Sequence, residues 1–104
     1  MLTLAPRLDA LSRLGRALSD PTRCRILLAL LDGPRYPSQL ADELGLTRAN
    51  TSNHLSCLRG CGIVVGTPEG RQTRYALADP RLHHALTDLL GVVLAVDADC
   101  VDQP

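Results

Sequence analysis

Residues 38–62, "SQLADELGLTRANTSNHLSCLRGCG", constrain the fold more than any other part of the chain. Glycine closes a helix by taking the left-handed conformation without steric cost, and threonine opens one by accepting hydrogen bonds from the first unpaired N–H groups. Gly45 and Thr47 stand in those two roles with a single residue between them. A helix from about Ser38 to Leu44 is therefore followed at once by another, which begins after Thr47 and closes at Gly60 or Gly62. Two helices joined by so tight a turn form a helix-turn-helix.

The flanking segments extend this motif on both sides. "RLDALSRLGRAL" spaces Leu8, Leu11, Leu14 and Leu18 by threes and fours, the pattern of an amphipathic helix. In "SDPTRCRILLALLDG", Asp20 is placed as N-cap, Pro21 at the first helical position and Gly33 past the end. After the motif, Ile63 to Thr67 and Thr73 to Leu77 are β-prone runs around a turn containing Pro68 and Gly70, which predicts a hairpin. "ADPRLHHALTDLLGVVLAV" repeats the Asp-then-Pro start and sustains Leu82, Leu86, Leu89, Leu90, Val93 and Val96. Such a helix is too apolar to stand in water, so it is expected to share a subunit interface with the first helix. The whole reads as mainly α with a small β-hairpin, a winged helix-turn-helix working as a homodimer. Residues 1–97 form the DNA-binding and dimerisation domain, and 98–104 a flexible C-terminal tail. With two tyrosines and no phenylalanine or tryptophan, the core must be built from Leu, Ile, Val and Ala, which suits helices.

The formal net charge is zero, but it is unevenly spread. Residues 46–75 carry Arg48, Arg59, Arg71 and Arg74 against Glu69, while residues 79–104 carry Asp79, Asp88, Asp97, Asp99 and Asp102 against Arg81. The basic residues are all arginine, the side chain suited to bidentate phosphate contact. At about 100° per residue, Thr51, Leu55 and Leu58 of the second motif helix fall together toward the core. Ala49, Asn53 and Ser56 point the opposite way, with Ser52 at the edge. That small, polar face can enter a major groove, where asparagine reads adenine and serine bonds base edges or phosphate. Such a face also occurs on ordinary solvated helices. Arg71 and Arg74 at the hairpin favour DNA, since they are placed to reach phosphates or a minor groove. The DNA-binding set is thus Thr47, Arg48, Ala49, Asn50, Ser52, Asn53, His54, Ser56, Arg71 and Arg74, with double-stranded operator DNA as partner. For His54 a structural hydrogen bond is an equal alternative, and a place as fourth ligand beside Cys57, three residues on along the same flank, is the less favoured third.

Four cysteines, Cys24, Cys57, Cys61 and Cys100, in a chain without a recognisable signal peptide point to a cytoplasmic setting in which thiols bind metals or sense. No run approaches a membrane span, so no membrane partner is expected. Cys57 and Cys61 lie one helical turn apart on one flank, where they can close on one object or pack as a small apolar pair. Cys100, in an acidic tail with nothing else to pack, can complete a three-thiolate site. Three thiolates favour a soft, thiophilic ion. Cys24 is expected to pack inward. No Gly-rich phosphate loop or nucleophile elbow supports an enzyme or an organic cofactor.

The run from "LGRALSDPTRCRILLALLDG" to "GRQTRYALAD" resembles the ArsR/SmtB family of metal-responsive repressors over nearly the whole chain. The resemblance rests on the Ser-x-His-Leu pattern at Ser52 to Leu55, the helix exit at Cys61 to Val64 and the Gly-Arg-x-x-x-Tyr wing at Gly70 to Tyr75. Cysteine stands at 61 where the usual pattern has alanine. Together with Cys57 and "VVLAVDADC", this is similar to the cadmium- and lead-sensing branch of the family. The resemblance implies a homodimer whose recognition-helix cysteine pair is completed by a tail cysteine of the other subunit. Cd(II) or Pb(II) is then the expected effector, bound by Cys57, Cys61 and Cys100 and releasing the repressor from DNA. A thiol-based redox repressor of the same fold is the alternative.

Overall fold

Capping groups written into the sequence set most of the element boundaries. The computed structural model describes residues 4–102, with side chains over 5–95. The order is α1 (Leu4–Leu18), α2 (Pro21–Leu31), α3 (Pro37–Leu44), α4 (Arg48–Gly60), β1 (Val64–Glu69), β2 (Gln72–Leu77) and α5 (Pro80–Asp102). The Asp20 carboxylate accepts the Arg23 N–H at 2.9 Å, which starts α2 and holds the Asp20 carboxyl below the ordinary aspartate range. Gly45 closes α3 at φ 67°, and Thr47 Oγ1 accepts the Asn50 N–H at 3.0 Å to open α4. At α5 the Asp79 carboxylate accepts from both the guanidinium and the N–H of Arg81, which pulls the carboxyl down to about 2.

The core lies where α2, α3, α4 and the hairpin meet. Ile26, Leu27 and Leu30 of α2 pack with Leu40 of α3, Leu55 and Leu58 of α4, and Ile63, Val64 and Tyr75 around the wing. Full burial of each aliphatic side chain contributes roughly 1.5–3 kcal/mol. Thr51, also buried, keeps its hydroxyl satisfied by donating to the Thr47 carbonyl at 2.8 Å. Among the described residues of α1 only Ala17 is fully buried, with Leu14 and Leu18 packed partly against the same core.

β1 and β2 pair antiparallel from Val64↔Leu77 to Glu69↔Gln72. The hairpin is tied back to the motif by a bridge between Arg35 and Tyr75, whose N–H groups each donate to the other's carbonyl at 2.9 and 2.8 Å. Gly66 is required by this packing. A Cβ there would come within 2.9 Å of Thr73 Cγ2 and 3.1 Å of Tyr75 Cε1.

Two boundaries differ from the sequence reading. β1 runs on through Pro68, which pairs with Thr73, because a two-stranded sheet leaves one side of each strand free of ladder bonds and a proline is tolerated there. The turn is correspondingly shorter, with Gly70 at φ 61°. At the other end, the segment assigned to a tail from residue 98 continues α5 as far as Asp102. No glycine or proline interrupts "DADCVD", so nothing in the sequence stops the helix.

Candidate nucleic-acid interface and thiol pair

The three flanks of α4 separate as its helical period dictates. Thr51, Leu55 and Leu58 are buried against the core. Arg48, Ala49, Asn50, Ser52, Asn53 and Ser56 are exposed, as is the capping Thr47. His54 stands apart from this set. It is half-buried, with Nδ1 3.8 Å from Asp20 Oδ2, so its ring faces the cap of α2 and joins the two helices. The separation is too long for the hydrogen bond that the sequence reading offers as an alternative for His54, and is a charge contact only when the ring is protonated.

The wing arginines also part company. Arg71, at the hairpin turn, is exposed and enters none of the ion pairs among the described residues. The Arg74 guanidinium lies 3.8 Å from a Glu69 carboxylate oxygen, which offsets part of its charge. Glu69 also accepts the Tyr36 hydroxyl at 3.2 Å, a contact between the start of α3 and the wing. Tyr36 was not singled out from the sequence. The available signal was its position as one of two aromatics, directly before the proline that starts α3. Between the start of α3, the start of α4 and the wing runs an open groove of about 430 Å³ lined by Tyr36, Ser38, Arg48, Ser52, Arg71 and Gln72, among others.

The thiol pair sits at the far end of α4. Cys57 is exposed and Cys61 half-buried, packed against the core. Cys61 is the C-cap, and its N–H donates to the Cys57 carbonyl at 3.1 Å, so the backbone fixes the two residues one turn apart. Cys61 packs against the core, as one reading of the pair expects, while the Cys57 thiol is exposed. The donor set suits a soft ion and is incomplete by itself, since no group of three or more His, Cys, Asp or Glu side chains comes together among the described residues. Cys100 lies on α5, and its side chain falls outside the described residues. Cys24, expected to pack inward, is half-buried and lies outside the core cluster, with Sγ 3.2 Å from the Leu18 carbonyl at the edge of an open apolar pocket of about 110 Å³.

No helix among the described residues is long and apolar enough to cross a membrane. The exposed small-polar helix, the arginine-bearing hairpin and the thiol pair together are features of a DNA-binding regulator rather than of a catalytic pocket.

Comparison with known proteins places the chain among such regulators. Residues 20–65 match the model of the bacterial regulatory proteins of the arsR family. The HTH-type transcriptional regulator CmtR of Mycobacterium tuberculosis is 72% identical over 99 residues, which cover 95% of this chain and 84% of that protein. The solution structure of the cadmium metal-sensor CmtR from the same organism superposes with a TM-score of 0.68, covering 89% of this chain and 94% of that one. A homodimeric winged helix-turn-helix DNA-binding domain from Mycobacterium bovis, a possible ArsR-family regulator, superposes with a TM-score of 0.82 at 28% identity, covering 96% and 92% of the two chains. The chain folds as a winged helix-turn-helix, is regulatory rather than catalytic, and belongs to the arsR family of bacterial regulatory proteins.

Proposed function

We propose that the protein is a homodimeric, metal-sensing transcriptional repressor. Metal-free, it holds operator DNA through α4 and the wing. Cd(II) or Pb(II), captured by the thiolates of Cys57, Cys61 and Cys100, releases it. The observation that carries this reading is the placement of Cys57 and Cys61 on the very helix whose neighbouring flank presents Ala49, Asn53 and Ser56 to solvent.

A ligand that draws the cysteine flank toward a third thiolate biases the tilt of that helix, or the spacing of the two helices in a dimer, away from successive major grooves. Linkage then requires DNA to weaken metal binding by the same factor that metal weakens DNA binding. Metal uptake should also release protons, because the ligands act as thiolates. The 72% identity to a regulator whose relative of known structure senses cadmium supports the choice of ion.

A dimer is supported by apolar surface that the single chain leaves in water. Leu8 and Leu11 of α1, and Leu89, Leu90, Val92, Val93 and Leu94 of α5, are all exposed. The radius of gyration is 15.4 Å, whereas a compact domain of this length has about 13 Å. The tight core occupies one part of the molecule, and the two terminal helices present the rest of their apolar stripes outward.

Exposure of Cys57 also fits the redox alternative, in which an oxidant reaches that thiol and a neighbour resolves it. Titration of cadmium into the reduced protein, followed by the ultraviolet thiolate-to-metal charge-transfer band, separates the two. A saturable band that drops by about a third in each of Cys57→Ser, Cys61→Ser and Cys100→Ser fits three equivalent thiolate ligands. An unchanged band in Cys100→Ser removes that residue from the site. No band at all, with DNA binding lost reversibly under peroxide, replaces the metal by a redox signal.

A further inference from the structure

The groove between α3, α4 and the wing brings arginines from two separate elements to one place. Arg48 and Arg71 both line it, and no carboxylate does. Arg13, Arg35, Arg74 and Arg81 each sit within 4 Å of an acidic partner, while Arg48 and Arg71 have none among the described ion pairs. Two guanidinium groups from separate elements line one groove with neither in an ion pair among the described residues, so their donors are left to water. An anion between them takes up those donors. The remaining lining is shallow and includes the Ser38 and Ser52 hydroxyls and the Gln72 amide as donors, while the Tyr36 hydroxyl is already given to Glu69. The groove opens beside the exposed face of α4, since Arg48 and Ser52 belong to both.

We propose that this groove seats a single backbone phosphate of the bound duplex, gripped jointly by Arg48 and Arg71 and steadied by the Ser38 and Ser52 hydroxyls. The proposal rests on the DNA-binding reading and deepens it, because it divides the interface by task. Ser52, at the edge of the reading face, and Arg48, in the first turn of α4, hold the register of that helix on the duplex and carry no sequence information. Base reading is left to Ala49, Asn53 and Ser56. Arg74, already opposed by Glu69, contributes less than its neighbour at the turn. The wing is held in place for this task from the motif side, by the Arg35–Tyr75 bridge and the Tyr36–Glu69 hydrogen bond.

The test is the salt dependence of binding to a fragment of the protein's own promoter and to an unrelated duplex of equal length. Wild type, Arg48→Ala, Arg71→Ala, the double variant and Asn53→Ala are compared at matched thermal stability. Each arginine variant should lose about five- to tenfold in affinity, equally for both duplexes. Each should also flatten the slope of log K against log salt by about one per protomer. The double variant should lose little more than the worse single one, because the two side chains share one phosphate. Arg71→Lys should keep the salt slope. Additive losses in the double variant would mean two separate contacts and overturn the shared seat. Unchanged slopes in both arginine variants, with specific binding lost in Asn53→Ala, would leave the DNA reading standing and the groove empty. A wild-type protein that binds neither duplex would remove the DNA reading, and this proposal with it.

Discussion

The motif-and-wing half of the molecule and the half made by α1 and α5 solve different problems with the same aliphatic alphabet. In the first, Leu40, Leu55, Leu58 and Val64 are fully buried within one chain, and the polar flank of α4 is what remains outside. In the second, only Ala17 and Leu86 are buried among the described residues, while seven leucines and valines of α1 and α5 stay exposed. One half is a finished core that displays a reading surface. The other leaves an apolar stripe in water, the surface that the proposed dimer would cover.

The sharpest way to break this contrast is to cut the same side chain on each side of it. Leu55→Ala should destabilise the protein by roughly 2–5 kcal/mol in urea unfolding, because it opens a cavity in a closed core. Leu94→Ala should change the stability of the isolated chain by less than about 0.5 kcal/mol. If the two losses are alike, the division into halves is wrong. Conversely, Leu89→Glu together with Val93→Glu should leave the fold intact by circular dichroism while raising the dimer dissociation constant by about a hundredfold or more in sedimentation equilibrium.

Within the first half, Asn53→Ala tests the reading surface. Its loss should be about 1–3 kcal/mol in discrimination between operator and random duplex, with unfolding unchanged. Thr47→Ala should cost about 1 kcal/mol of stability, since Thr47 Oγ1 satisfies the Asn50 N–H. The smallest effect is acid sensitivity at the junction of the two halves. The Asp79 carboxyl is held at about 2 by Arg81, below its ordinary 3.8. A carboxyl so depressed stabilises the native state fully above about 4, and that contribution is lost as pH falls toward about 2. Asp79→Asn should flatten this part of the acid limb of the stability profile.

What was legible in the sequence follows the same division. Asp20, Gly45, Thr47 and Asp79 act through their own backbone neighbours, so their caps could be read directly and are all found. The burial of Thr51, Leu55 and Leu58 against exposed Ala49, Asn53 and Ser56 followed from helical period alone. Long-range partners were not legible. Nothing in "GRQTRYAL" says that Glu69 will take Arg74 and Tyr36, or that Tyr75 will bridge to Arg35, because those contacts depend on where the wing folds back. The His54–Asp20 contact, across α4 and α2, was hidden for the same reason. Past Val96 the sequence is acidic and short of core-forming residues, which reads as a tail, yet helix continuation needs only the absence of a breaker. For the thiol site, the one-turn spacing of Cys57 and Cys61 was legible, whereas the position of a third thiol depends on how α5 meets its surroundings.

The most direct measurement is a cadmium titration of the reduced protein bound to a labelled fragment of its own promoter, followed by fluorescence anisotropy beside Cys57→Ser and Cys100→Ser. Release of the wild-type protein at low metal, with both variants responding only at much higher concentration, is the expected result. A wild-type complex that keeps its anisotropy through saturating cadmium would contradict a metal switch built on the DNA-reading helix.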